Sequence, residues 1–447
     1  MAEKVRILNR RMALPAEQVL AKPQVQVFDW PDGTAVAFDT NSLCALKVSP
    51  KLAKRLKRGR VANLSGLLGS GIAPAFKCYK ASPVRKVVLN VTHGCNLKCE
   101  YCFAARYKRA PKMSLQTALG ALALFDPKHD INISFFGGEP LLAWELMMQV
   151  SERAHVLARE RGVRCKLHVT TNGTRIDAVK AAALKRYGFS ILMSIDGPEK
   201  LHNANRPAKR GNSFQQTMRG LDALNAAGLK PMIRATFREK DARLVEKLNF
   251  FADFYDAGKI SGASIEPVIL SEGCGAAPDE KMNAKKLAGE WHAAAEWFVA
   301  RVRAGKVFPY FYFQKMLSRL LYCRHMGAEC GAGKGYLTLG PDGTMFACHR
   351  ETGTKIGHVE AGFDTEARAQ WLDNRITTHN NCASCWARYL CGGGCRQARI
   401  ELGGSIHAPT PHLCAVKRAL YAEVLWIAAN LTGDQAMDAA GMKRKTT

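Results

Sequence analysis

No run of 18 apolar residues occurs in this 447-residue chain, which excludes a transmembrane helix of the ordinary hydrophobic kind. The opening residues, MAEKVRILNRRMALPAEQ, lack the apolar core of a secretory signal, so a cytoplasmic location with no membrane partner is expected. Acidic residues are scarce: 38 Asp and Glu stand against 65 Lys and Arg, a formal charge of +27. That surplus fits a solvated basic surface, an acidic peptide partner or nucleic acid, and charge alone does not choose among them. The densest basic run, KLAKRLKRGR at 51–60, lacks the interleaved aromatics of a single-strand binder, so nucleic acid is not the expected partner. Low-complexity tracts and solenoid repeats are also absent. With 47% apolar and 23% charged residues, the composition is that of a globular protein of two or three domains.

Cysteine, by contrast, is abundant. Fifteen cysteines in a large chain without a secretion signal favour metal or catalytic thiolates over a disulfide framework. Three of them, Cys95, Cys99 and Cys102, stand in HGCNLKCEYCF (93–103) with the spacing Cys-x3-Cys-x2-Cys. A zinc ion or a closed iron–sulfur cubane needs four ligands. Either the fourth comes from a distant residue, or one corner is left for a small molecule.

The chain around this loop alternates short β-rich runs with amphipathic helical segments. VVLNV (87–91), INISFF (131–136), KLHVTT (166–171), SILMSI (190–195), PMIRATF (231–237) and ASIEPVIL (263–270) read as strands. Six strand–helix units predict an α/β fold with a parallel sheet, a partial (β/α)6 TIM-like barrel open on one side, with ligands at the carboxyl ends of the strands. The cysteine loop follows the first strand and therefore belongs to that end. Ahead of it, VQVFDW, AVAFDT and LCALKVS predict a small antiparallel meander followed by a helix from Pro50 to Lys57. The expected organisation is a β-rich unit at 1–85, the barrel at 86–305, a cysteine-rich domain at 306–430 and a tail at 431–447.

These residues resemble the radical S-adenosylmethionine (SAM) superfamily over about Val87 to Gly305. The resemblance implies that Cys95, Cys99 and Cys102 hold a 4Fe–4S cluster whose fourth iron binds SAM through its amino and carboxylate groups. Tyr101 occupies the position that lies near adenine in the family. In FFGGEP, Gly137 and Gly138 permit close backbone approach, and Glu139 is expected to meet the SAM ammonium group. Asn172 in TTNG, with Ser194 and Asp196 in SIDGP, is expected at the site rim, the last two near the ribose or the SAM head. Arg234 is expected to face the SAM carboxylate, and Glu266 and Val268 the adenosine. His93 and His349 are expected to pack beside the site rather than act as ligands.

A second cysteine field follows. Cys330, twelve residues, Gly343, four residues and Cys348 precede Cys382-x2-Cys385-x5-Cys391-x3-Cys395, and Cys414 comes after eighteen more residues. YLTLGPDGTMFAC predicts a hairpin presenting Cys348. GGG at 392–394 would permit a tight wrap around a bulky group. Each interval resembles the SPASM extension of radical SAM enzymes over about 323–420. It implies two auxiliary 4Fe–4S clusters, three clusters in all: Cys382, Cys385, Cys391 and Cys414 on the outer one, and Cys330, Cys348 and Cys395 on the inner one. The inner set lacks a fourth cysteine. Cys323 is a candidate, and an open iron able to take a substrate thiolate is the alternative. Cys44, Cys78, Cys165 and Cys274 read as buried small hydrophobes, Cys274 lying in the loop SEGCGAAP beside the site.

SPASM enzymes act on peptides and proteins, so the resemblance implies a ribosomally made peptide or protein substrate and a reductant such as flavodoxin or ferredoxin. The meander, FDTNSLCALKVS in particular, resembles the peptide-recognition element of peptide maturases, which captures a leader by strand addition. FFGGEPLL, SIDGP and CGAGKGYLTLGPDGTMFACH resemble thioether-forming maturases, the sactipeptide and ranthipeptide synthases and the quinohemoprotein amine dehydrogenase maturase. The expected activity is hydrogen abstraction from a peptide residue, then thioether formation with a cysteine. Formylglycine formation of the sulfatase-maturing type or carbon–carbon cross-linking is the alternative within the superfamily, and a basic zinc protein binding nucleic acid is the alternative outside it. No general base can be named from sequence.

Overall fold

The computed structural model describes residues 6–8, 18–21, 24–58, 71–74, 81–106, 112–269, 283–350, 355–373, 376 and 380–442. Cys78 and Cys274, with the loop SEGCGAAP, lie outside the described residues.

The six expected strands form as read: β7 (Lys86–Thr92), β8 (Ile131–Gly137), β9 (Cys165–Thr171), β10 (Ser190–Ser194), β11 (Met232–Phe237) and β12 (Gly262–Pro267), the label numbers counting six shorter strands that precede them. Each pairs in parallel with its sequence neighbour, through registers such as Val87↔Ile133, Ile133↔Leu167 and Ile233↔Ala263. Sequential parallel strands require a helix in each crossover, and the helical segments supply it. Trp144–Arg161 buries Met147, Val150, Ala154 and Ala158 and stops at Gly162, whose left-handed φ of 65° suits glycine. The fold is thus mixed α/β with a central parallel sheet, a partial TIM-like barrel.

The sheet does not end with the sixth unit. β13 (Tyr336–Leu339) pairs in parallel with β7, matching Leu337 to Val87 and Leu339 to Leu89. It then turns back as a hairpin into β14 (Thr344–Phe346) through the expected Asp342-Gly343 turn, Gly343 having φ +87°. β15 (Lys355–His358) and β16 (Gly362–Phe363) complete a ten-stranded sheet in the order β12-β11-β10-β9-β8-β7-β13-β14-β15-β16. The boundary expected near residue 305 is therefore no break in the sheet. The helix Phe311–Leu321 buries Phe313, which meets Phe298 and Tyr310 edge-on at 5.4 and 4.8 Å.

The N-terminal meander forms from β3 (Val25–Asp29), β4 (Ala35–Asp39) and β5 (Ala45–Lys47), with β1 (Arg6–Ile7) on the free edge of β5. A separate pair joins β2 (Gln18–Ala21) to β6 (Gly71–Pro74). The alternation in β4 decides its packing: Ala35 and Ala37 face the helix Pro50–Lys57, while Val36 and Phe38 enter the main core. That helix buries Leu52 and Ala53, so the cations of its basic run lie on its outer face. The meander leans on the cysteine-rich region. Phe28 meets Trp386 edge-on at 4.7 Å, Arg388 donates to Gln24 and Asn41, and Trp426 donates to Asp32.

The expected tail at 431–447 begins as structure. Thr432 and Gln435 cap a helix over Gly433–Ala439, and Ala436 and Ala439 are buried. Residues 443–447 lie outside the described residues. No helix among the described residues is long and apolar enough to cross a membrane.

Candidate active site and auxiliary cysteine site

The three-cysteine loop leaves β7 at Thr92 and is held from two sides. Gly138 N–H donates to the Thr92 carbonyl at 2.7 Å and Glu139 N–H to that of Gly94 at 2.8 Å. On the other side, Lys98 N–H donates to Pro207 at 2.8 Å, and Arg238 pairs with Glu100 at 2.9 Å. The glycine pair is needed for the first clamp. A Cβ on Gly138 would fall within 2.5 Å of the His93 carbonyl oxygen, and one on Gly137, at φ +139°, would strike the Thr92 carbonyl. So the close approach expected of these glycines is to the cysteine loop itself.

Cys95, Cys99 and Cys102 line a cavity of about 470 Å³ at the carboxyl ends of the strands, together with Tyr101, Gly137, Gly138, Asn172, Ser194, Arg234 and Val268. Burial pushes the Cys99 thiol up to about 12 and raises that of Cys95. Asn172 donates to the Cys95 sulfur at 3.8 Å and to Asn96 at 3.0 Å.

Two expected ligand contacts lie elsewhere. Glu139 does not line the cavity: it is fully buried and spends its oxygens on Thr171 Oγ1 and Asn172 N–H, both at 2.7 Å, and on Leu141 N–H at 3.1 Å. A carboxylate so saturated fixes the turn after β8 and the end of β9. Asp196 also lies behind the wall. It accepts from Tyr101 Oη at 2.5 Å, Arg206 Nη2 at 3.1 Å and Thr236 N–H at 2.9 Å, with Arg206 Nε 3.0 Å from its other oxygen. Burial opposes its charge, but the Arg206 guanidinium holds the carboxyl at about 2. Arg234 does line the cavity, yet its Nη2 is 2.7 Å from Glu266 Oε2.

Arg206 is the residue the sequence did not reveal. It is buried, lines the cavity, lies 5.5 Å over the Tyr101 ring and is anchored by Asp196. Its only signal was its place eight residues after SIDGP, at the end of the short helix Glu199–Asn205, which does not distinguish it among 65 Lys and Arg.

A second cavity, of about 370 Å³, is lined by all seven cysteines of the downstream set: Cys330, Cys348, Cys382, Cys385, Cys391, Cys395 and Cys414. Gly393 and Gly394 line it, and with Gly392 they carry consecutive φ values of +71, +81 and +78° from Gly392 to Gly394. Arg399 donates to the Cys382 sulfur at 3.2 Å. Cys323, the expected extra ligand, lines neither cavity and follows the helix Phe311–Leu321 at φ +46°. Cys44 is buried and Cys165 half-buried away from both.

The two cavities share a wall made by Arg234, Glu266, Pro267, Ile269, Tyr336, His349 and Arg350. Tyr336 Oη lies 2.9 Å from His349 Nδ1, and the His349 ring meets Phe136 edge-on at 5.0 Å. Burial drives His349 down to about 3, so its imidazole is neutral. His349 is thus a packing residue, as expected, but at the junction of the two sites.

Among the described residues no three His, Cys, Asp or Glu side chains converge as a single metal ion requires. Three half-buried cysteines around one cavity and seven around another do fit the softer, multi-iron demand of cubane clusters. The first cavity also falls within the volume range of small-ligand pockets and mixes aromatic, aliphatic and hydroxyl groups, as SAM would need.

Comparison with known proteins agrees with this geometry. Residues 89–239 match the family model described as the Radical SAM superfamily. The cysteine-type anaerobic sulfatase-maturating enzyme of Clostridium perfringens is 25% identical over 355 residues, spanning 71% of this chain and 90% of that protein. The solved structure of native anSMEcpe with bound AdoMet and Cp18Cys peptide superposes with a TM-score of 0.64 at 20% identity, covering 80% of this chain and 99% of that one. Streptococcus suis SuiB bound to its precursor peptide SuiA gives a TM-score of 0.51 at 14% identity, covering 88% and 98%. At these identities the two structures establish the shared fold.

Proposed function

This chain is a radical SAM enzyme, built on the domain at residues 89–239, and we propose that it matures a ribosomally made peptide by forming a cysteine thioether. The observation that carries this reading is the shared wall: the cavity of the three-cysteine loop and the cavity of the seven downstream cysteines meet at Arg234, Glu266, Tyr336, His349 and Arg350. A peptide placed there faces both.

In this reading Cys95, Cys99 and Cys102 hold the SAM-binding cluster. Cys382, Cys385, Cys391 and Cys414 hold one auxiliary cluster, and Cys330, Cys348 and Cys395 the other, within a SPASM-type region over 306–430. When bound, the first cluster and SAM would supply the 5′-deoxyadenosyl radical, which takes one hydrogen atom from the peptide, and an auxiliary cluster would take the second electron as the cysteine proton leaves. The chain supplies the rest. Tyr101, Ser194, Asn172 and Val268 shape the SAM cavity. Asp196 and Arg206 lock Tyr101 in place through a buried ion pair. Glu139 fixes the end of β9, and neutral His349 with Tyr336 forms part of the wall between the two cavities. Sulfatase maturation to formylglycine is the second reading, favoured by the similarity to the Clostridium perfringens enzyme.

The test is incubation of anaerobically reconstituted protein with candidate precursor peptides encoded near its gene, using SAM and a flavodoxin or dithionite reductant. Thioether formation removes two hydrogens and one titratable thiol. A product with an unchanged thiol count rejects it, and an aldehyde-reactive product selects formylglycine.

A further inference from the structure

A third concavity, a groove of about 640 Å³, opens beside the auxiliary site. The helix Phe311–Leu321, the turn through Arg324 and the turn Ala440–Gly441 after the helix Gly433–Ala439 bound it. Five cations line it, Lys315, Arg319, Arg324, Lys334 and Arg396, against a single carboxylate, Glu329. That carboxylate is already paired with Lys417, so it does not offset them. Arg319 and Arg396 are buried and donate to main-chain carbonyls of Leu390 and Trp371, which satisfies their hydrogen bonds but leaves their charge. Lys315 is crowded: burial, then Arg319, lowers its affinity for a proton. Arg324 is exposed, and Phe311, 43% exposed, lines the groove where it meets the cysteine cavity, with the Lys315 ammonium 5.9 Å from its ring.

At its inner end the groove runs into the seven-cysteine cavity. Phe311, Lys315, Glu329 and the exposed Cys330 line both. Like charges gathered in a concavity focus a positive potential outward and favour an anionic occupant. A concave track of this size accommodates an extended segment at about 3.3 Å per residue, whereas a folded carrier would need a flatter face.

We propose that this groove docks an acidic segment of the peptide substrate and so brings a neighbouring residue to the Cys330 edge of the auxiliary site. This rests on the peptide-maturase reading and names the chemistry of the substrate that reading leaves open. The surplus charge of the chain thereby acquires a local use, with an apolar contact at Phe311 for a side chain flanking the acids.

The experiment reads binding without turnover. A fluorescein-labelled octapeptide of alternating Glu and Gly, and its Lys–Gly counterpart, are titrated with anaerobically reconstituted holoenzyme and followed by anisotropy. The wild type binds the Glu peptide and not the Lys peptide, more weakly at higher salt. The double variant Arg324→Glu/Lys334→Glu binds at least about tenfold more weakly, while Arg153→Glu, exposed on the remote helix Trp144–Arg161, binds as wild type. Visible iron–sulfur absorbance reports the fold of each variant, and Arg324→Ala replaces the double variant if the latter loses it. Equal binding to all variants, or none to the wild type, overturns the proposal. So does a result in which the double variant impairs flavodoxin-supported turnover but not peptide binding, since the groove would then receive the electron carrier. Release of 5′-deoxyadenosine by the wild type is measured alongside. If that occurs without peptide binding, the groove alone is misread; if it does not occur, the radical SAM reading fails independently.

Discussion

Replacing Asp196 by Asn separates two roles for one residue. The sequence points to a ligand of the SAM ribose or head group, whereas the structure buries the carboxylate completely and surrounds it with Arg206, Tyr101 and Thr236. A carboxyl held at about 2 instead of its ordinary 3.8 contributes about 2.5 kcal/mol to folding. Removing one member of a buried ion pair, here leaving Arg206 uncompensated, costs about 3–5 kcal/mol. The expected loss is therefore about 2–5 kcal/mol, with Asn retaining the acceptor for Thr236. Because the folded value is depressed, the stabilisation is fully present above about pH 4 and is lost as pH falls towards 2. Anaerobic urea unfolding followed by circular dichroism measures it. The midpoint of Asp196→Asn falls well below wild type at pH 6.5, and the gap narrows below pH 4. If instead SAM affinity drops while the unfolding curve stays unchanged, Asp196 is a ligand and its assignment as an anchor is wrong.

Gly138→Ala forces a Cβ against the His93 and Gly94 carbonyls and endangers two backbone hydrogen bonds, a cost of about 3 kcal/mol or more; iron bound at the three-cysteine loop should fall sharply, and normal loading would contradict the clamp. Lys417→Met takes its ammonium partner from the half-buried Glu329, which keeps Lys315 and Arg319 nearby, and should destabilise by about 1–3 kcal/mol, most of which Lys417→Met/Glu329→Gln restores; an additive double variant would show that the pair does not interact. Cys323→Ser should keep the full complement of about twelve irons while Cys348→Ser loses about four, and equal losses would return Cys323 to the ligand set.

The elements that sequence revealed are those whose signal is local. Six β-rich runs and the helices between them declared the parallel sheet, and each observed strand lies within a residue or two of its expected range, Leu270 at the end of the sixth lying outside the described residues. The cysteines were legible because thiolates that share a cluster from one loop need fixed short spacings. What stayed hidden was made by tertiary contact. Nothing in YLTL says that it will extend the sheet beside VVLN, nor does the meander announce that Phe28 will meet Trp386. Glu139 and Asp196 sit in motifs that look ligand-facing. Their donors, Thr171, Asn172, Arg206 and Thr236, come from other strands and loops, so their saturation appears only in the folded chain. Arg206 had neither periodicity nor spacing to mark it.

The most direct test of the central claim is release of 5′-deoxyadenosine by anaerobically reconstituted protein given SAM and dithionite. The wild type should produce it, and the variant carrying Cys95→Ala, Cys99→Ala and Cys102→Ala together should produce none while keeping the auxiliary iron. No release from iron-loaded wild type, or equal release from the triple variant, would contradict the assignment of this loop as the radical-generating site.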